Sequence, residues 1–300
     1  MPSVTEHYKI SRPVPFVDVD VAEDNRRYID PRRIRLSRSP EPFASRALDA
    51  IDTFFDEITH CVVSTSSADR ARGKALLQRF HEPQETRLGM SQFGFAGHGG
   101  SAGIGSQIWT ALDGDLRALI EIGVFKQLDY MPVCVDDVDA DITSDVVTRI
   151  IYRPLVEFTN QVVHDFPEFT TTHHTAGAVT RQVWEPSSLT WKYEVVTLPV
   201  AGGNPLLLVP RDWVGGSLLV NARRFHATSL LSSVQRQRAV VLDGRLVKTP
   251  KDQLREDPHL RCGRRTIVRE VLAAYRERGE NVFADFDRFV DAQLERHRAA

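Results

Sequence analysis

The chain has 300 residues, of which 42% are apolar and 26% charged, the balance of an ordinary soluble globular protein. A formal net charge of −2 gives the whole protein no attraction for nucleic acid or for an anionic membrane. Three cysteines lie far apart without CxxC spacing, which argues against a disulfide scaffold and against a thiolate zinc site. The sequence shows no secretory leader and no apolar run of the ~18 residues that a spanning helix needs, so a cytoplasmic protein without a membrane partner is predicted.

Helical periodicity dominates the first half of the chain. Before it, apolar and acidic residues alternate over 16–21, which predicts a half-exposed strand, and Asp30-Pro31 marks a chain reversal or a helix start. Apolar residues at three- and four-residue spacing then predict helices over about 42–63, 67–80, 104–125 and 144–166. The expected caps are Ser66 or Ser67 for the second of these and Asp141 or Thr143 for the last.

Two of these helices contain breaks, and one short strand lies between them. Gly114 is a weak point in the third helix, and Pro154 predicts a kink or break in the fourth. The apolar residues within 129–138 predict a short strand. These residues predict where the helices of the N-terminal half are interrupted.

The second half begins with strands and ends with helices. Runs between about 178 and 209 alternate as strands do, and Asp243-Gly244 predicts a β-hairpin. Asn221 is predicted to cap a helix through Leu231, and further helices are predicted over 265–278, ended by Gly279, and over 282–297. The predicted fold class is mixed α+β, with a helical N-terminal half that carries a glycine-rich loop, a strand-rich middle and a helical C-terminus. Two lobes, 1–170 and 171–300, are expected, with one integrated domain as the alternative.

The glycine-rich loop is the first candidate site, because successive backbone N–H groups before a helix can hold an anion. Its spacing resembles a P-loop, but Ser106-Gln107 stands where Lys-Ser/Thr is required, and its GxGxxA match follows no strand. The alternative is a flexible surface loop or a segment that becomes ordered on a partner. The predicted phosphate-binding residues are Arg87, His98, Gly99, Gly100, Gly103 and Gly105.

A cluster of aspartates between 136 and 145 is the second candidate. Asp141 and Asp145 are four residues apart, so in a helix they lie on one face, where carboxylates bind Mg²⁺ or Mn²⁺. Asp30 is predicted as a third ligand from the turn after the first strand. Aspartates at a helix start also serve as caps, and Arg149 would then pair with Asp145. No EF-hand spacing is present.

The charged segment 81–87 supplies the remaining candidates. Glu85 has the chemistry of a metal ligand or a general base, while Arg87 and Arg149 have that of phosphate-binding groups. The predicted catalytic set is therefore Glu85, Asp141, Asp145 and Arg149, with surface charges as the alternative. Farther along, the region from Arg223 onward is rich in basic residues, which predicts either contact with nucleic acid or a partner protein, or a solvated helical surface.

Four strings carry a resemblance to a family of uncharacterised bacterial proteins over about residues 14–225. They are FVDVDVAEDNRRYIDP, HEPQETRLGMS, ADITSDVVTRII and NPLLLVPRD. Relatives of this kind carry Ile-Ser-Asp where this chain has Thr143-Ser144-Asp145, and commonly a Lys or Arg where it has His98. The resemblance implies no established activity, although it suggests a role in defence against phage.

Two hypotheses follow from these observations. The first is a Mg²⁺- or Mn²⁺-dependent enzyme that processes phosphoesters or nucleic acid, because acids, glycines and arginines concentrate in one stretch. The second is a non-catalytic subunit that binds nucleic acid or protein through its basic C-terminal region. The sequence favours the enzyme slightly and leaves the oligomeric state undetermined.

Overall fold

The computed structural model describes residues 2–80, 83–89, 101–171 and 175–299. They form two compact units, each built from separate stretches of the chain. The first unit contains residues 1–109 and 139–218, and the second contains residues 110–138 and 219–300. The predicted α+β class is confirmed, with helices at both ends of the chain and strands in the middle.

The α-helices differ widely in length, from a single turn to 21 residues. In chain order they are α1 Val4–Tyr8, α2 Pro31–Ser37, α3 Phe43–Val63, α4 Ser67–Leu77, α5 Ser101–Asp113, α6 Arg117–Glu121, α7 Met131–Cys134, α8 Ala140–Ile150, α9 Tyr152–Asp165, α10 Ala222–Phe225, α11 Leu231–Gln237, α12 Lys251–Glu256, α13 Arg264–Arg278 and α14 Val282–Ala299. A five-residue π-helix, His226–Leu230, connects α10 to α11.

The strands form small antiparallel sheets. They are β1 Tyr28–Ile29, β2 Ala176–Glu185, β3 Thr190–Ala201, β4 Asn204–Pro205, β5 Val214–Gly215, β6 Val240–Leu242 and β7 Arg245–Val247. The β2–β3 hairpin runs in unbroken register from Ala176 opposite Pro199 to Glu185 opposite Thr190, and β4 pairs with the end of β3. The predicted hairpin at Asp243-Gly244 is confirmed as β6–β7.

Aromatic residues of the hairpin form the core of the first unit. Trp184 of β2 and Trp191 of β3 meet the Phe54 ring of α3 at centroid distances of 5.0 and 5.6 Å. Each indole N–H has an acceptor: Trp184 donates to the Thr53 hydroxyl at 3.1 Å, and Trp191 donates to the Leu76 carbonyl at 3.0 Å. Burying aromatic rings whose polar atoms are paired fixes the hairpin on α3 and α4.

The predicted strand over 16–21 is wrong as an element, although its alternation is real. Phe16, Val17, Val19 and Val21 are buried, while Asp18 is exposed. The segment is extended but takes part only in isolated bridges, such as Phe16 with Pro210. Period-two burial requires an extended backbone next to a core, and a strand requires in addition a continuous partner, which this segment lacks.

The helix predictions hold in the first unit, with one correction, which concerns a cap. The predicted 144–166 helix is divided at Ile151, three residues before Pro154, into α8 and α9, in agreement with the break predicted at that proline. The cap of α8 is Asp139, whose carboxylate accepts from the backbone N–H groups of Asp141 and Ile142 at 3.0 and 3.1 Å. The other caps agree with the sequence, since Asp30 caps α2 and Ser66 caps α4.

In the second unit, the predicted helix 104–125 ends as α5 at Asp113, one residue before Gly114, and resumes as α6. The predicted strand within 129–138 is wrong, because Met131–Cys134 is helical with a proline in its first turn. Asn221 caps α10, and Gly279 ends α13 in a left-handed conformation, both as predicted.

The core of the second unit is largely aromatic. Tyr130 donates its hydroxyl to the Phe283 carbonyl at 2.8 Å, and the Phe225 ring lies 5.3 Å from that of Phe286. Within the described residues, no helix has the length and apolarity required to cross a membrane.

Gly73 of α4 provides a test of the packing between α3 and α4. A Cβ at Gly73 would stand 2.4 Å from Cys61 Cβ and 2.7 Å from Trp109 Cζ3. We therefore expect Gly73→Ala to lower the free energy of unfolding by about 1–3 kcal/mol, the usual cost of overpacking. Urea denaturation measures this change.

The matched control is Gly103→Ala in α5, where a Cβ would meet nothing within 4 Å. Alanine is the better helix former by about 1 kcal/mol, so this variant is expected to be neutral or stabilised. Equal unfolding midpoints for the two variants would contradict the close approach of α3 and α4 at Gly73.

Candidate functional site

The segment 83–89 holds the predicted residues Glu85 and Arg87 in a fixed conformation. Gln84–Thr86 form a 3-10 turn, and Arg87 follows with φ of 55°. The backbone is anchored on both sides: Leu207 N–H donates to the Glu85 carbonyl at 2.8 Å, and Asn25 N–H donates to that of Arg87 at 2.8 Å. Because the backbone is paired with two distant segments, the side chain of Glu85 is directed into the first unit.

Glu85 is a carboxylate that is only 4% exposed. Its Oε1 accepts from Arg181 Nε of β2 and from the Tyr152 hydroxyl of α9, the latter at 3.3 Å. Tyr152 is fully buried, whereas the Arg181 side chain keeps 31% of its surface exposed. Arg181 is therefore the member of this group that is most exposed to solvent.

Arg149 completes what we call the Glu85 cluster, made of Glu85, Arg149, Tyr152 and Arg181. Its guanidinium carbon lies 5.6 Å from the centroid of the Tyr152 ring, and the residue is 7% exposed. Burial lowers the pKa of Arg149, while the nearby Glu85 carboxylate favours its charged form. Burial, and to a smaller extent the Glu85 carboxylate, raise the pKa of the Tyr152 hydroxyl well above its usual value. The hydroxyl therefore stays protonated and acts as a hydrogen-bond donor.

The four members of the cluster comprise two guanidiniums and one carboxylate. Arg149 and Arg181 both act on Glu85, the single buried carboxylate of the cluster. Asp145, one turn before Arg149, is partly exposed and has the smallest effect on its pKa. A buried group of two guanidiniums, one carboxylate and a tyrosine hydroxyl has the chemistry to hold an anion beside a proton acceptor.

Arg87, predicted to bind phosphate, has a different environment. Its guanidinium donates to the backbone carbonyls of Val21 at 3.1 Å and Pro205 at 3.3 Å, and to that of Gln84. Burial lowers the pKa of Arg87, and the nearby carboxylates of Glu85 and Asp24 act in the opposite direction. The donors of Arg87 are thus used to join three backbone segments around the cluster.

Of the predicted metal ligands, Asp30 caps α2. Asp30 is 1% exposed and accepts from Arg32 N–H at 2.9 Å, with Arg33 Nε at 3.7 Å. Asp141 lies beside Gly89, where an added Cβ would stand 3.0 Å from its Oδ1. Within the ranges that the structure describes, no group of three or more His, Cys, Asp or Glu side chains is placed to hold a metal ion.

The predicted phosphate-binding glycines fall into two sets. His98, Gly99 and Gly100 lie outside the described residues. Gly103 and Gly105 belong to α5, and a Cβ at Gly105 would stand 2.0 Å from the Leu77 carbonyl of α4. Close helix contact therefore accounts for glycine at position 105 without a ligand.

The basic side chains after Arg223 are extensively paired inside the second unit. Arg236 pairs with Glu280 and Asp285, Arg238 with Asp257, and Arg264 Nε donates to the Val135 carbonyl at 3.2 Å. Pairing with carboxylates reduces the positive field that these residues offer to a nucleic acid. The predicted contact with nucleic acid or a partner protein gains no support from this arrangement.

Sequence reasoning brought Glu85 and Arg149 together but missed Tyr152 and Arg181. Tyr152 is three residues after Arg149 in the predicted helical region, so helical spacing contained its signal. Arg181 is 96 residues from Glu85 and lies on a strand that gave no sign of a polar role. Only the packing of β2 against α8 and α9 places it there.

The pair of Glu85 and Arg181 is expected to be energetically coupled. In a double-mutant cycle with Glu85→Gln and Arg181→Gln, we expect a coupling energy of about 2 kcal/mol, because removing either partner leaves a poorly solvated charge. Urea denaturation of the four proteins gives this value.

Arg46 and Glu157 form the matched control pair, 2.5 Å apart, with side chains 55% and 33% exposed. Exposed pairs couple by about 0.5 kcal/mol or less. A Glu85–Arg181 coupling no larger than that of the control would mean that the cluster is solvated in the native protein, contrary to its burial.

Comparison with known proteins assigns the chain to a family but to no class of activity. No curated protein and no solved structure gives a significant match to it. The resemblance in the sequence predicted a family without established activity over about residues 14–225. A family model described as a domain of unknown function, DUF8370, matches residues 9–221, which confirms that prediction and shows that the chain belongs to this family.

Proposed function

We propose that the first unit binds a phosphoester at the Glu85 cluster and hydrolyses it. The observation that carries the proposal is the position of Glu85, a nearly buried carboxylate between the guanidiniums of Arg149 and Arg181. Guanidinium groups match phosphate oxygens in geometry and charge. A phosphate monoester or diester bound there would accept hydrogen bonds from the guanidinium groups.

The proposed reaction is an attack of water on phosphorus. Glu85 accepts a proton from the water as its oxygen bonds to phosphorus, and the phosphorus–oxygen bond to the leaving group breaks with its electron pair on that oxygen. The leaving oxygen then takes a proton from solvent. Arg181 and Arg149 stabilise the charge on the phosphoryl oxygens, and Tyr152 orients the Glu85 carboxylate.

A divalent ion fits this proposal if the ligand supplies part of its coordination. Mg²⁺ is commonly held by one or two protein carboxylates together with substrate phosphates and water. Asp141 and Asp145 are one turn apart on α8, on the helix that also carries Arg149. We therefore assign Asp141 and Asp145 as the carboxylates that would hold Mg²⁺ or Mn²⁺ beside a bound phosphoester.

The test compares two substitutions that each replace a charged side chain with uncharged glutamine and that should affect phosphate binding differently. We expect Arg181→Gln to weaken binding of inorganic phosphate about tenfold, which corresponds to about 1.4 kcal/mol, because a cation is lost. Glu85→Gln is expected to bind phosphate as well as the unmodified protein or better, because it removes a like charge, yet to lose hydrolysis of bis(p-nitrophenyl) phosphate. Calorimetry and absorbance measure the two effects.

Arg46→Gln, on the exposed side of α3, is the charge-matched control and should change neither measurement. Circular dichroism of each variant separates loss of binding from loss of fold. If Glu85→Gln weakened phosphate binding as much as Arg181→Gln in folded proteins, the cluster would be a structural ion pair, and the proposal would be wrong.

Metal binding is expected to depend on the phosphate. With phosphate present, Mn²⁺ at a hundred times its dissociation constant should raise the free energy of unfolding by about 2.7 kcal/mol, and EDTA should reverse the effect. Without phosphate, two carboxylates alone should give a much smaller rise. Thermal melts of the unmodified chain and of Asp145→Asn measure this difference.

Asp49→Asn, at an exposed position of α3, controls for the lost charge. The rise should persist in Asp49→Asn and disappear in Asp145→Asn. A rise that survives in both variants would place the ion elsewhere and remove Asp145 from the proposed site.

A further inference from the structure

A cleft of about 400 Å³ in the second unit is lined by groups that the proposed function does not use. One wall consists of the hydroxyl side chains of Thr228, Ser229 and Ser232, from the π-helix and the first turn of α11. Its size falls within the range of small-molecule sites. All residues that line the cleft lie between Thr228 and Phe289, outside the span that matches the family.

Three cationic side chains converge on the cleft. Arg236 and Arg288 both pair with Asp285, Arg236 at 2.9 Å, and Lys251 stands at the start of α12. The lining holds three cations and the carboxylate of Asp285, and Arg236 also pairs with Glu280 outside the lining, so the cations outnumber these two carboxylates by one. This arrangement favours an anionic ligand over a neutral or cationic one.

The ammonium group of Lys251 is fixed in place by the π-helix. It donates to the carbonyls of Ala227 and Thr228 at 3.1 and 3.0 Å. An ammonium has three N–H donors, so one is left for a ligand in the cleft. Burial lowers the pKa of Lys251, and Arg255 and Arg236 add to that effect, so a bound anion would stabilise its charged form. Single-turn π-helices occur frequently at functional sites.

The remaining wall is aromatic. Phe289 of α14 lines the cleft and is partly exposed. Its ring is stacked near Phe286, with centroids 6.0 Å apart and an interplanar angle of 22°. A ligand whose anionic group meets the cations can place a flat ring against this wall.

We propose that this cleft binds a phosphate monoester that carries a flat aromatic ring, which is the chemistry of a nucleoside monophosphate. Lys251, Arg236 and Arg288 hold the phosphate, and Phe289 contacts the ring. The hydroxyls of Thr228 and Ser232 donate to helix carbonyls and only line the wall. This site goes beyond the proposed function, because it shares no residue with the Glu85 cluster and requires no hydrolysis.

Calorimetry of the full chain with adenosine 5′-monophosphate and with inorganic phosphate tests the proposal. Both probes should bind, and the nucleotide should bind more tightly. Arg288→Gln should weaken binding of the nucleotide, and binding of phosphate when it is added to the Arg181→Gln background, about fivefold, since its side chain is 75% exposed and its charge is screened. Phe289→Leu should weaken binding of the nucleotide but leave that of phosphate unchanged.

Arg269→Gln is the matched control, since Arg269 is an exposed arginine of the same unit that pairs with Glu270. It should bind both probes as the unmodified chain does. No saturable binding of either probe, or an equal loss in Arg269→Gln and Arg288→Gln, would overturn the proposal.

Nucleotide binding by the Arg181→Gln variant distinguishes the two proposed sites. Nucleotide binding that is retained in Arg181→Gln and reduced in Arg288→Gln supports the cleft. Binding that is lost in Arg181→Gln and unchanged in Arg288→Gln places the ligand at the Glu85 cluster, which overturns the cleft and supports the proposed function.

Discussion

The buried carboxylate of Glu85 is the constraint on which the arrangement of the first unit depends. A carboxylate with 4% exposure is costly unless charged and hydrogen-bonding partners compensate for the lost water. Here the compensation comes from β2 through Arg181 and from α9 through Tyr152, while Leu207 N–H binds the backbone of Glu85 itself. One residue thus fixes the relative positions of the 3-10 turn, a helix, the long hairpin and the segment after β4.

Stability alone is a weak reason for a protein to bury such a group. Replacing a buried ion pair by apolar side chains of similar volume is often neutral or stabilising. The core around Trp184 and Phe54 shows that this unit can fill its interior with aromatic and aliphatic residues where no charge is required. The proposed anion binding gives this cluster of two arginines and one glutamate, with Arg181 partly open to solvent, a role in addition to the fold that it supports.

The sequence correctly predicted structural features that depend on neighbouring residues. Its predictions were wrong or incomplete where a feature depends on residues far away in the chain. Asp30, Ser66, Asn221 and Gly279 end or begin helices as expected, because each acts on the backbone within three residues of itself. The segment 16–21 had the burial pattern of a strand, but a strand also needs a continuous partner. The same limit applies to the site. Glu85 and Arg149 were predictable by residue type, whereas Arg181 reaches Glu85 only after the β2–β3 hairpin has packed onto α3.

The cleft of the second unit differs from the Glu85 cluster in how its positive charge is held. In the cluster, two arginines share a buried carboxylate, so any ligand competes with an ion pair in a poorly solvated place. In the cleft, Lys251 is held by carbonyl dipoles of the π-helix rather than by a carboxylate, so a phosphate can bind it without displacing a counter-ion. Arg288 lies in water and adds attraction that salt weakens. Phosphate affinity at the cleft should therefore fall more steeply with ionic strength than affinity at the Glu85 cluster, which sets the two sites apart on physical grounds alone.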